Sequence, residues 1–427
     1  MIRVCAALLW LVTLALEIAV AQGTTAGHVG VFGDYFPNRA DTTELRARLF
    51  VEQKVEPSPP VRMTLSGFAE GLVARRPEVS PETDGILRVQ DANLELRAKR
   101  VDLLAGYARV AWGKLDEIQP TDVVNPLDVS RFFFEGRSEA RLPVLLMRGR
   151  VHVSDNVAIE GIYVPDFRRG RFDQLAEPSS PFNIVAGVEC PPTGCPALPA
   201  TIVDRQPPFT ARNGQGGGRM SATTGRVDWS VSAYRGFEPF GLYRLETIAG
   251  PVPGVPPPAL VLDYPRFTMI GADFEAVRGA WGMRGELAAF VDDSFQSPDL
   301  QILSGNSVDG GVGFDRRAGD YTVSGTVLFH VESYDPGIGR AETDGRSDVS
   351  LVLSVDRTFA RERYRLRAFG VFNATESSGF TRVIGMANLR DNFALEASIG
   401  WFAGEGRDLV GRFGDSDFAY LRARYYF

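Results

Sequence analysis

Lysine, cysteine, histidine and long apolar runs are scarce in this chain of 427 residues, and each shortage excludes something. Lysine occurs only at Lys54, Lys99 and Lys114, so nearly all positive charge is arginine and no basic block forms. With a formal net charge of −7, nucleic acid is a poor partner. The three histidines, His28, His152 and His330, fall on separate predicted strands and offer no metal-ligand spacing. No nucleophile elbow or glycine-rich phosphate loop is present, so neither metal nor cofactor is expected, and the chain is not expected to be an enzyme. Ser154 shares a strand face with His152, yet a barrel lipase needs a polar third partner that no motif supplies. His152 fits better as a hydrogen-bonding group in a polar lumen. Asp292-Asp293 reads as a solvated strand end. Beyond residue 21, no apolar run is long enough to cross the ~30 Å of bilayer hydrocarbon as a helix.

What is present starts with a secretory pattern. Arg3 precedes the apolar stretch Ala6 to Leu16, and Ala19-Val20-Ala21 offers a small-x-small site, so residues 1–21 are expected to be a cleaved signal peptide. The alternative, a membrane anchor, is too short and carries Glu17. Cys5 leaves with the signal. Cys190 and Cys195 remain as a pair in the Pro/Gly loop 189–196, where a small structural disulfide is expected. No linker divides 22–427, which reads as one domain.

The far end alternates with a period of two. Ala419, Leu421, Ala423, Tyr425 and Phe427 fall on one face; Phe418, Tyr420, Arg422, Arg424 and Tyr426 fall on the other. A sandwich edge strand could end this way, but an apolar face opposite an arginine-bearing one suits lipid outside and water inside. Tyr425 and the terminal Phe427 resemble the signal read by the outer-membrane barrel-insertion machinery. The same two-faced pattern recurs. Leu45, Ala47, Leu49 and Val51 alternate with Glu44, Arg46, Arg48, Phe50 and Glu52, and Leu366, Ala368 and Phe372 oppose Arg363, Arg365 and Arg367. Candidate strands lie near 28–36, 43–54, 60–73, 86–99, 101–112, 143–154, 156–167, 217–227, 228–238, 266–277, 281–291, 307–316, 320–332, 347–358, 362–374, 379–389, 393–403 and 417–427. Counted back from a periplasmic C-terminus, every second connection is short, as at 390–392, 360–361, 317–319, 279–280 and 155. Those between are mostly long, including the expected extracellular loops 113–142, 168–216 and 239–265, with 375–378 the exception. Short periplasmic turns and long outer loops are the asymmetry of bacterial barrels. The expected fold is all-β: a transmembrane antiparallel up-and-down β-barrel of about 18 strands, with 16 as the alternative.

Between Leu87 and Arg168 the sequence becomes specific. Trp112-Gly113 ends one strand, Asp122-Val-Val-Asn-Pro-Leu-Asp128 forms a loop, and Glu139-Ala-Arg-Leu-Pro-Val144 leads into a strand ending at Pro165-Asp-Phe167. This resembles an uncharacterised family of proteobacterial outer-membrane barrels, broadly similar to the alginate-export porins. The resemblance implies an outer-membrane channel, coupled to an inner-membrane exporter of the resistance-nodulation-division type through a periplasmic partner, with hydrophobic or lipid-like cargo.

Read from the residues, the lumen carries an arginine ladder: Arg46, Arg48, Arg97, Arg148, Arg150, Arg363, Arg365, Arg367, Arg422 and Arg424. Such forks can steer carboxylates through a pore. Alternatively they pair with the lumen acids Glu44, Asp91, Glu95, Asp273, Glu275, Glu286, Asp348 and Glu396 and stiffen the wall. The loop carrying Trp112, Gly113, Asp122, Asn125, Pro126 and Asp128 is the candidate for an element folded into the lumen, the alternative being a loop over the rim. The expected function is a porin-like channel in the outer membrane of a diderm bacterium, passing small anionic or amphipathic solutes. Its rivals are a non-conducting barrel whose loops bind a partner, and a barrel lipase.

Overall fold

Strands with one apolar and one polar face leave two open edges unless the sheet closes on itself. In the computed structural model, which describes residues 23–39, 41–77, 80–171, 202–247, 258–297, 300–335, 345–404, 408, 410–414 and 416–427, they close. The wall is built of β1 (Gly23–Phe36), β2 (Thr42–Ser58), β3 (Val61–Arg75), β4 (Glu82–Arg97), β5 (Val101–Ala108) and β6 (Val144–Ser154). It continues through β7 (Val157–Val164), β8 (Gln215–Thr224), β9 (Val227–Phe237), β10 (Arg266–Arg278), β11 (Trp281–Gln296) and β12 (Ile302–Ala318). It ends with β13 (Tyr321–Tyr334), β14 (Gly345–Phe359), β15 (Tyr364–Asn373), β16 (Ser378–Arg390), β17 (Phe393–Ala403) and β18 (Phe418–Tyr426). Each strand pairs antiparallel with its sequence neighbours, and β1 pairs antiparallel with β18, closing an 18-stranded ring.

The faces are those of a membrane barrel, inverted relative to a globule. Leu45, Leu87, Val327, Leu353 and Leu421 stand bare on the outside, while Arg46, Arg48, Asp273, Glu286 and Arg422 are buried inside. Such a surface belongs in hydrocarbon, where a closed barrel satisfies every backbone group of the wall within the sheet. Among the described residues no helix is long and apolar enough to span a membrane. The short turns gather at one end, and three of them use a glycine, Gly225, Gly279 and Gly319, at φ of 63°, 63° and 60°, the left-handed region that tight hairpins demand. The same end holds Phe427, whose N–H and carbonyl both pair with Gly27.

Each expected segment corresponds to one strand, with instructive differences at the ends. The fifth and seventh strands stop at Ala108 and Val164, short of 112 and 167, because the chain there leaves the wall. β11 and β12 run further than expected, reducing the loop 292–306 to 297–301. β4 contains a bulge: Val89 pairs with Gly67 and Asp91 with Ser66, leaving Gln90 without a partner across the ladder. Residues of two long outer loops add a small sheet, in which Leu242–Thr247 pairs antiparallel with Pro258–Asp263 and the latter pairs parallel with Ile202–Arg205. The segment 113–142, expected as an extracellular loop with the stretch 112–128 as the candidate for infolding, runs inside the barrel and carries two short helices, α1 (Val129–Glu135) and α2 (Arg137–Ala140). The expected signal peptide 1–21 and the Cys190–Cys195 pair lie outside the described residues.

Candidate functional site in the lumen

The infolded segment begins where Ala108 leaves β5, and its two ends are tied together by one side chain. Asn125 accepts from the N–H of Val110 at 2.8 Å and donates to the carbonyls of Ala108 at 3.1 Å and Leu142 at 2.7 Å. Leu142 N–H donates to the carbonyl of Pro126. Asp122, also buried, accepts from Trp112 N–H and from the guanidiniums of Arg137 and Arg141. Trp112 is 1% exposed; its indole donates to Glu160 on β7 at 2.9 Å and meets Tyr234 edge-on. Gly113, at φ 92°, passes so close to Glu286 that a Cβ would fall 2.6 Å from its Oε1. Glu286, reaching in from β11, accepts from the N–H groups of Lys114, Leu115 and Thr121 and from the Thr121 hydroxyl. Asp128 accepts from Arg88 at 2.9 Å rather than capping α1.

α1 is held by charge on one side and by rings on the other. Glu135 pairs with Arg48 at 2.7 Å, Arg48 pairs with Glu70 at 2.7 Å, and Arg131 reaches Glu70 at 2.7 Å. Burial alone would raise the Glu135 carboxyl, but Arg48 and Arg131 hold it well below the usual carboxylate range. The carbonyls at the C-terminal end of α1, orphaned in any helix, accept from wall arginines: Arg382 donates to Phe133 and Phe134 at 2.7 and 3.0 Å, and Arg422 donates to Phe134 at 3.2 Å. The Phe133 ring packs edge-on against Phe380, Phe402 and Phe413, with centroids 5.1–5.4 Å apart. Guanidiniums also lie over rings in this layer, Arg422 over Tyr420 at 3.8 Å and Arg131 over Phe68 at 4.7 Å.

The arginines of the ladder face the lumen mostly with a carboxylate already attached. Arg46 binds Asp34, Arg97 binds Glu95, Arg365 binds Asp356, Arg367 binds Glu117, and Arg424 binds Glu396. Arg148 lies between Glu95 at 3.8 Å and Glu160 at 4.0 Å, Arg150 reaches Ser221 at 3.5 Å, and Arg422 lies 3.7 Å from Asp34. Arg363 does not join them: it sits in the turn before β15 and donates to the carbonyls of Asn388 and Leu389. Of the histidines, His152 bonds Asp102, and both nitrogens of His330 face carboxylates, Asp309 and Glu332. Tyr425 and Phe427 point outward and are exposed.

Among the described residues, two sizeable chambers lie beside the infolded segment. One, of about 520 Å³, lies beneath α1 and mixes arginines with Phe132, Phe369, Ile384 and Met386. The other, about 460 Å³, is polar and lies between the segment and β6–β10, with Lys114, Arg150, Arg219 and Asp273 in its lining. The sequence places Glu286 in the lumen as a partner for arginines, not as the acceptor for the infolded segment, and gives no role to Gln90, Arg382 or the Phe132–Phe134 run. The only signals available were the three consecutive phenylalanines and the break in alternation at Gln90-Asp91.

The family described as "Protein of unknown function (DUF1302)" matches residues 87–355. No curated protein matches the chain. Solved structures of similar fold include Acinetobacter baumannii OccAB2, with TM-score 0.53 and 7% identity over 95% of this chain and 98% of that one. Pseudomonas aeruginosa OccK5 (OpdH) gives 0.51 and 10% over 95% and 97%, and the P. aeruginosa outer-membrane protein opdK gives 0.51 and 11% over 95% and 99%. At these identities the likeness is one of fold. The lipid-facing belt and the closed 18-strand ring make this a barrel of the bacterial outer membrane.

Proposed function

This chain belongs to the DUF1302 family, and we propose that it is a porin-like channel passing small amphipathic or anionic solutes across the outer membrane. One observation carries the proposal: within the closed wall, chambers of about 520 and 460 Å³ flank the infolded segment. An infolded loop of this kind sets a size cutoff, while wall dipoles and charges set preference. Because most lumen arginines already hold a carboxylate, anion preference is expected to be modest, carried by Arg150 and the spare donors of Arg365 and Arg424. Coupling to an inner-membrane exporter through a periplasmic partner fits a chamber that opens toward the short-turn end, where His28 and Tyr426 line it.

Planar-bilayer recording tests the proposal. Discrete current steps with a mild anion preference are expected, together with larger steps after deletion of residues 113–128. A silent bilayer for both proteins, or a clear cation preference, would count against it. A second assignment, a closed barrel whose outer loops bind a partner, is favoured by the buried pairs that pin α1. It predicts a silent wild type and current only after the deletion.

A further inference from the structure

The chamber beneath α1 has a polarity gradient that the wall itself does not require. Its lining near the short-turn end is cationic and wet: Arg365 is about half exposed, and Arg424 stands beside Tyr426 and His28. Toward α1 the apolar Ile118, Phe132, Phe369, Val371 and Ile384 enter the lining, between the ion pairs Arg48–Glu135 and Arg367–Glu117. Among the described buried acceptors of this lining, one stands without a partner. Gln90 is 5% exposed, lines the chamber, and its side-chain carbonyl oxygen has no hydrogen-bond partner. Gln90 is also the extra residue of the β4 bulge, the device by which a wall aims two consecutive side chains, Gln90 and Asp91, inward. A buried acceptor without a partner is costly, and here it faces space large enough for a ligand. Arg365 and Arg424 each have donors left after Asp356 and Glu396 are satisfied. Because Asp356, Glu396 and Glu117 stand close by, a singly charged head meets less repulsion there than a phosphate would.

We propose that this chamber binds an amphipathic carboxylic acid: a carboxylate at Arg365 and Arg424, an apolar chain against Phe132, Phe369 and Ile384, and a hydroxyl remote from the carboxylate donated to Gln90. The proposal deepens the channel assignment by naming what occupies the route, but binding is read without any current, so the two fail separately.

The test uses the full barrel held in amphipol, titrated calorimetrically with 10-hydroxydecanoate, decanoate and 1-decanol. The hydroxy acid is expected to bind about tenfold more tightly than decanoate, and decanoate about tenfold more tightly than decanol, each factor matching one hydrogen-bonded contact. Gln90→Leu is expected to erase the first difference only, and R365Q with R424Q the second only. Correct folding of each variant is checked by an unchanged heat-modifiable gel band and, for Gln90→Leu, by retained decanoate binding. Equal affinity for acid and alcohol would mean adsorption to the outer belt and overturn the proposal. So would affinities indifferent to these substitutions, or no binding by a wild type that conducts.

Discussion

A single wall carboxylate, Glu286, accepts from three backbone amides of the infolded segment, which otherwise have no partner at that depth. Glu286→Ala is expected to cost roughly 3 kcal/mol of local stability, because buried donors lose their acceptor without gaining water. Hydrogen exchange should quicken across residues 114–121 while wall amides stay protected, and Glu286→Gln, which keeps an acceptor, should show less. At the outer mouth, burial followed by the nearby Asp293 charge pushes Glu238 up from 4.5 to about 7, opposed by the Phe240 N–H it accepts. The acid is harder to ionise in the packed loop than in an open one. Packing is therefore strongest below the ordinary carboxylate range and weakens as pH rises through about 7. Exchange at residues 238–241, corrected for intrinsic rate, should be faster at pH about 8 than at about 5, and Glu238→Gln should flatten the profile.

At the scale of elements, α1 is a short helix that propensity does not explain. Its N-cap residue makes no capping bond, and its sequence Val-Ser-Arg-Phe-Phe-Phe-Glu is rich in residues that lose rotamer freedom in a helix. Wall groups supply what the helix lacks, so Arg382→Ala, which strips donors from the carbonyls of Phe133 and Phe134, should free it. The expected result is larger and noisier single-channel current together with a lowered melting temperature of the barrel, because Arg382 also bonds Ser398 and Tyr420 in the wall. For the same reason the helix was not legible in the sequence, whereas the strands were. Strand alternation is imposed by two solvents on two sides of a thin wall and survives in each strand separately. α1 exists only because distant strands meet around it. The fifth strand ends before its sequence period does, because Val110 and Trp112 keep the alternation after the chain has left the wall, now burying both in the cluster with Leu146 and Met269. The sheet around Pro258–Asp263 leaves no clear signal in the sequence because its partners are only four to six residues long and come from different loops. Arg363 kept the period of its neighbours yet falls in a turn, where period carries no information about facing.

At the scale of the whole molecule, the belt sets a clear expectation. Val327 faces outward in register with Val312 on β12 and Leu351 on β14. Near mid-depth, Val327→Arg should cost about 2–4 kcal/mol of barrel stability, measured by urea unfolding in lipid vesicles, with Val327→Ala far milder.

α1 has one more property, which follows from where its contacts fall around the ring. It reaches β2 and β3 through Arg48 and Glu70, and β16, β17 and β18 through Arg382, Phe402 and Arg422. These strands flank the β1–β18 junction, where the first-made and last-made parts of the chain meet. A helix bridging both cannot settle until they are neighbours, and once settled it holds them so. Sealing of the cylinder and seating of the helix are thus one cooperative event, and a barrel that loses its grip on α1 should close more slowly during biogenesis.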